Sequence, residues 1–245
     1  MRAVFTVALL ILLATSCLYA DAKLSWGPKL GFNLSQHYGT KGAEMDYKVR
    51  TGLRPGLAAG AFLEMEISEN LSLMYELLYT QKGSNENITV YRIDEAGDGV
   101  MVELPKPAEM KVKYYLDYIE IPVVFKVKMM DKPKFSIFTH AGSAMSIKVK
   151  GYRQLDGKVY LTNGDGFDEL IVYAESKLAE VNMFDFSFVY GGEFVFKYKI
   201  PIHLEYRFTL GWDYLSLPTN PEYDPSSKPV ELRNQTYSLI LGTRF

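Results

Sequence analysis

From Leu24 to Phe245, bulky apolar side chains recur at every second position in one segment after another. Successive side chains of a β-strand point to opposite faces, so period 2 marks a strand with two unlike faces. In the last segment Tyr237, Leu239, Leu241, Thr243 and Phe245 share one face, while Thr236, Ser238, Ile240, Gly242 and Arg244 share the other. Leu204, Tyr206, Phe208, Leu210 and Trp212 oppose Glu205, Arg207, Thr209 and Gly211 in the same way. The pattern predicts eight strands, at about 25–38, 53–68, 71–86, 110–130, 134–151, 182–199, 202–217 and 233–245. Asp168 to Val181 is the one stretch that reads as a short loop helix.

The connectors order these strands. Glu69-Asn70, Asp131-Lys132-Pro133 and Ile200-Pro201 are tight turns, whereas the links near 39–52, 87–109, 152–181 and 218–232 are long and polar. Short and long connectors alternate, so each neighbouring pair is antiparallel and all long loops fall at one end. The expectation is an all-β fold: one eight-stranded antiparallel up-and-down barrel, with no second domain.

Composition decides which face points outward. The chain holds 14 Phe, 18 Tyr and 2 Trp among 245 residues. An eight-stranded barrel has an interior that side chains just fill, and a ring or a leucine at nearly every apolar position would overfill it. The opposite faces carry Gly27, Gly31, Ala58, Gly60, Gly142, Ser187, Gly191, Thr209 and Gly242, which suit a narrow lumen. The bulky faces are therefore expected to meet lipid, making the fold a transmembrane β-barrel in which closure leaves no unpaired backbone in hydrocarbon. A soluble lipocalin-like carrier, with its apolar face inside, is the competing reading.

Charges that fall in strands gain a place from the same phase. Lys29, Lys126, Lys197, Arg207 and Arg244 share the inner face with Glu64, Glu76, Glu120, Glu193 and Glu205. Buried charges persist when paired, so the set predicts an interstrand ion-pair belt that plugs the lumen. An open water channel takes many more strands. A proton or ion path, making the barrel a small pore, is the functional alternative for the belt. The formal net charge of −2 gives no footprint for nucleic acid.

The N-terminus reads as a signal peptide, residues 1–22, ahead of a barrel domain at 23–245. Met1-Arg2 precedes an apolar run from Ala3 to Ala14, and Ala20-Asp21-Ala22 supplies a small-x-small cleavage site. Acylation at Cys17 is the rival, though Ala14-Thr15-Ser16 makes a poor lipobox. Cleavage after Ala22 removes Cys17, the sole cysteine, and with it any disulfide or thiolate chemistry.

Several strings resemble the PorT-like outer-membrane β-barrel family. They are Trp26-Gly27-Pro28-Lys29-Leu30-Gly31-Phe32-Asn33-Leu34-Ser35, Glu76-Leu77-Leu78-Tyr79-Thr80-Gln81-Lys82-Gly83, Leu116-Asp117-Tyr118-Ile119-Glu120-Ile121-Pro122 and the closing Tyr237 to Phe245. The resemblance spans essentially the whole chain after residue 22. It implies an outer-membrane barrel of a Gram-negative, Bacteroidetes-type envelope, surrounded by outer-membrane lipid, with both termini periplasmic. It supplies no active-site motif. Some members assist protein secretion, which makes an accessory role in a secretion apparatus a second functional expectation. Tyr237, Leu239, Leu241 and Phe245 also resemble the C-terminal signal read by the barrel-assembly machinery.

Catalytic and metal chemistry is sparse. His37, His140 and His203 are the three histidines, and none has a partner at metal-ligand spacing. His37 with Glu44 or Asp46 is a weak catalytic pairing. Asp94 to Gly99 and Asn163 to Gly166 resemble calcium loops, but Ala96 and Leu161 replace ligands. No metal, cofactor or enzymatic activity is expected. The loops are acidic: residues 87–109 hold Asp94, Glu95, Asp98, Glu103 and Glu109 against Arg92 and Lys106. Recognition of envelope or secretion proteins is expected there.

Overall fold

The computed structural model describes residues 23–39, 47–94, 101–162, 167–178, 181–212, 215–216 and 231–245. The strands are β1 (Leu24–Gly39), β2 (Tyr47–Gly52), β3 (Arg54–Ser68), β4 (Leu71–Asp94), β5 (Met101–Asp131), β6 (Phe135–Thr162), β7 (Phe167–Lys177), β8 (Phe184–Phe196), β9 (Ile202–Gly211), β10 (Leu215–Ser216) and β11 (Glu231–Thr243). Eight of them close a ring in the order β1-β3-β4-β5-β6-β8-β9-β11. The seam joins β1 to β11 in an antiparallel register that runs from Lys29 opposite Gly242 to Gly39 opposite Leu232. Every ring pairing is antiparallel.

The phase read from the sequence holds around the ring. Leu30, Phe32, Leu57, Leu77, Phe125, Phe186, Phe188, Tyr190, Tyr206, Leu239 and Leu241 are exposed on the outer surface. Lys29, Glu64, Glu76, Glu193, Glu205 and Arg207 are buried in the lumen. On β4 the outward apolar run ends at Tyr79, before Gln81. That run from Leu71 matches the roughly 9–11 residues a tilted strand needs to cross a bilayer. Gln36, Gln81, Asp117, Lys150 and Gln235 occupy outward positions where the apolar band stops. Neighbours along this border are joined: Gln36 donates to Gln235 at 3.0 Å, and the Tyr79 hydroxyl donates to Asp117 at 2.8 Å.

The strands continue past that border, where the sequence suggested loops. β4, β5 and β6 are 24, 31 and 28 residues long. Much of the links expected at 87–109 and 152–181 is therefore strand. The stretch expected as a helix, Asp168 to Val181, instead contributes β7, paired with β6 from Tyr152 opposite Lys177 to Thr162 opposite Phe167. β-branched Ile171 and Val172 favour the pleated surface of a waiting partner over a short isolated helix.

The lumen differs from expectation in one further respect. It is not filled by small and charged residues alone. Phe62, Met74, Val124, Ala144 and Val189 form a buried apolar cluster among the charges. Glycine makes room locally for a large lumen side chain outside this cluster. At Gly191 an added Cβ would sit 2.6 Å from Nε2 of His140, so the imidazole packs against bare backbone.

Candidate functional site

The lumen carries a buried ionic network. Lys29 on β1 lies between two carboxylates, contacting Glu76 on β4 and Glu205 on β9, the latter at 2.5 Å. Arg207 binds both acids: Nη1 is 2.6 Å from Glu76 Oε2, and Nη2 is 2.5 Å from Glu205 Oε1. His140 Nε2 stands 3.2 Å from Glu205 Oε1. Two cations thus satisfy two anions in a low-dielectric interior, which is the condition for charges to persist there.

Two flanking groups repeat the arrangement. Towards the short turns, Lys126 binds Glu64 at 2.9 Å and Glu193 at 2.5 Å. Ser72 donates to Glu64 at 2.6 Å, and His203 meets Glu193 through Nδ1. On the other side Lys82 pairs with Glu120, which also accepts from Ser146 at 3.1 Å. Asn234 donates to Asp185 at 2.8 Å and to the Tyr118 hydroxyl at 3.4 Å.

Above these groups the mouth is apolar. Val112, Tyr114, Leu116, Tyr118 and Leu232 pack with Leu178 and Val181, which follow β7. Lys148 fixes that returning segment. Its Nζ donates to the Leu178 carbonyl at 2.8 Å and also to that of Val181. The amide of Leu178 donates to the Gly151 carbonyl at 3.0 Å. Paired charges and this apolar cap are buried inside the ring at successive heights.

Outside the apolar band, β2, β4, β5, β6 and β7 form a sheet in that order. Its surface is built from polar and aromatic contacts. Tyr115 and Tyr152 stack at 4.4 Å, and Arg54 lies 4.3 Å above the Tyr115 ring. Lys158 pairs with Glu169 at 2.5 Å on the exposed surface. The hydrogen bond from Lys158 lowers the Glu169 carboxyl pKa below its usual range, and the same contact raises that of the lysine.

Eight residues expected in the lumen belt, Lys29, Glu64, Glu76, Glu120, Lys126, Glu193, Glu205 and Arg207, lie in these buried groups. Lys197 and Arg244 do not. Lys197 is exposed and pairs with Asp131 at the short-turn end. Arg244 borders the same end, on an open hollow of about 140 Å³ that Glu64, Glu66, Lys128, Asp131 and Lys197 also line. Period 2 assigns a face and not a depth, so both residues had the right phase but stand beyond the last buried acid. Lys82 was missed although its phase is the same as that of Glu76. His203, which the charge pattern alone does not place in the belt, is buried against Glu193.

The C-terminal positions Tyr237, Leu239, Leu241 and Phe245 face outward. Phe245 packs on Trp26 with ring centroids 5.4 Å apart, and its amide donates to the Trp26 carbonyl at 2.9 Å. His37 has Glu86 at 3.7 Å; its proposed partners Glu44 and Asp46 lie outside the described residues. So do residues 1–22, Asn163 to Gly166 and nearly all of the Asp94 to Gly99 string.

A family model described as outer membrane protein beta-barrel domain matches residues 19–215. No curated protein matches the chain. Among solved structures, the attachment invasion locus protein Ail of Yersinia pestis is 12% identical. That alignment covers 90% of this chain and 98% of Ail, with a TM-score of 0.38. Neisserial surface protein A is 9% identical over 90% of this chain and 97% of its own, with a TM-score of 0.40. OprG of Pseudomonas aeruginosa is 11% identical over 91% and 95%, with a TM-score of 0.31. The family match spans most of a chain whose eight-stranded ring presents an apolar band at bilayer height, and the chain accordingly belongs to the outer membrane protein beta-barrel domain family and resides in the outer membrane.

Proposed function

We propose that this protein is a non-enzymatic outer-membrane barrel that is closed to solutes and acts through the sheet it raises beyond the membrane. The observation that carries the reading is the contrast between its two halves. The lumen is spent on paired charges and an apolar cap, while β4, β5 and β6 run far past the band that lipid requires. A strand needs only about 9–11 residues to cross, so the added length serves something outside.

In this reading residues 1–22 direct export, the short turns and both termini face the periplasm, and the long strands face outward. The PorT-like strings support a Bacteroidetes-type envelope, with envelope or secretion proteins as partners of the extension. The terminal aromatic pattern supports recognition by the barrel-assembly machinery.

Membrane fractionation with heat-modifiable gel migration, followed by planar-bilayer recording of the purified protein, tests this. A folded outer-membrane species with no steady current is the expected result. A steady current abolished by Glu205→Gln or Arg207→Gln would instead make it a pore. A soluble periplasmic species with a bound apolar ligand would make it a carrier.

A further inference from the structure

The two borders of the external sheet are unlike. β2 is six residues long and carries Lys48 and Arg50, both exposed. A short, cationic edge resists edge-to-edge pairing. β7 has eleven residues, no proline and no glycine, and pairs with β6 without a register shift. Among the described residues β6 is its sole strand partner. Its centre reads Leu170-Ile171-Val172-Tyr173, and Ile171 and Tyr173 are 68% and 67% exposed on one face. A long, regular, apolar edge whose outer amides and carbonyls meet no strand among the described residues is a template for another strand.

The sequence of β7 also fits itself. Set two copies antiparallel with Tyr173 opposite Tyr173. Glu169 then falls opposite Lys177 of the second copy, twice by symmetry, and Val172 falls opposite Ala174. Opposite charges and aromatic pairs directly across a ladder are favourable, and like charges are not. Moving the register so that Val172 faces itself would bring Glu169 opposite Glu175. Of these two alignments the charges favour the first.

Direction adds a constraint. Every copy in one membrane has β7 running the same way, so an antiparallel β7 pair joins barrels that point in opposite directions. We propose that β7 is a homophilic docking strand: a second copy, anchored in a facing membrane, adds antiparallel along Glu169–Lys177 and continues the sheet across the contact. This rests on the reading of the extension as the interacting part, and it names the partner.

Single-cysteine cross-linking of the full chain, with Cys17→Ser as background, tests the arrangement. Tyr173→Cys places two thiols directly opposite and is expected to form a disulfide dimer. Ile171→Cys is not, because the two copies of that position lie about 13 Å apart along the strand, beyond the roughly 7 Å reach of a disulfide. A mixture of Ile171→Cys and Glu175→Cys is expected to cross-link one to the other. Vesicles bearing the protein should cluster, and the exposed double change Ile171→Lys with Tyr173→Lys should abolish both clustering and dimer. That variant should keep heat-modifiable migration, which separates lost docking from lost folding. Equal self-cross-linking at 171, 173 and 175 would mean parallel pairing and overturn the proposal. A monomer at every position would overturn it too, whether the edge is bare or covered by the chain's own residues. A barrel that stays monomeric yet silent in bilayers would leave the closed-barrel reading standing.

Discussion

Lys29 Nζ and Glu205 Oε2 are 176 residues apart in sequence and 2.5 Å apart in the lumen. They stand on β1 and β9, strands that do not touch, with β11 between them. Glu76 and Arg207 complete the group from β4 and β9. The contact is therefore a cross-brace of the closed ring, and it forms only when the seam between β1 and β11 has formed.

Removing one member leaves a charge without its partner. Lys29→Met exposes Glu76 and Glu205 to each other with Arg207 alone to neutralise them. Breaking a buried pair in this way costs about 3–5 kcal/mol. Urea unfolding in lipid vesicles should show a loss of that order. Adding Glu205→Gln to Lys29→Met should recover part of it, because the uncompensated carboxylate is gone. An unchanged midpoint for Lys29→Met would mean that the group adds nothing to stability.

Lys148 governs the mouth. Its ammonium is the donor to the Leu178 and Val181 carbonyls, which position the apolar cap. Lys148→Met removes charge-assisted hydrogen bonds and leaves two carbonyls to find other donors, at about 1.5–3 kcal/mol for the site. Amide exchange at Leu178, whose N–H donates to Gly151, should speed up in the variant. If the barrel is closed as proposed, the variant should also pass no bilayer current, since the ion pairs around Lys29 and Lys126 lie farther along the axis.

Strand phase was legible because lipid on one side and a narrow lumen on the other demand opposite side chains at successive positions. Depth and strand ends were not. Beyond Gln81 and Asp117 the outward positions meet water in place of lipid, so Lys111, Lys113 and Lys158 stand there, while Val112 and Tyr114 keep the inward face apolar. Pairing across the ladder then decides the structure. β7 shows the same limit: Asp168 and Glu169 before Leu170, Tyr173 and Ala174 imitate a helix start, and β6 settles the matter by offering an edge. Phe62 and Met74 escaped the lumen reading because the size argument treated bulky residues as outward-facing.

At the short-turn end Asp131 accepts hydrogen bonds from Lys197 and from Ser136, the latter at 2.6 Å. Chiefly the Lys197 bond, then Ser136, pulls its carboxyl pKa down to about 2. A depressed folded-state value means that the bridge contributes fully above the unfolded carboxyl value of about 3.9 and is lost as pH falls towards 2. An NMR titration of the Asp131 carboxyl in detergent micelles should give the low midpoint. Lys197→Met should move it up towards the ordinary aspartate range, and an unmoved midpoint would assign the shift to other neighbours.

Phe245 lies at the seam of the ring, against Trp26 of β1. Its ring packs on Trp26 and its amide donates to the Trp26 carbonyl, so the last residue is stitched to the first strand of the ring. Tyr237, Leu239 and Leu241 stand on the same outward face. Deleting Phe245 should reduce the heat-modifiable form in outer membranes, either through lost recognition by the assembly machinery or through a weaker seam. Refolding the purified deletion variant into lipid vesicles separates these causes. Normal refolding in vitro with poor assembly in cells would assign the residue to recognition. Poor refolding in both settings would assign it to the Trp26 contact. Normal assembly in cells would remove Phe245 from both roles.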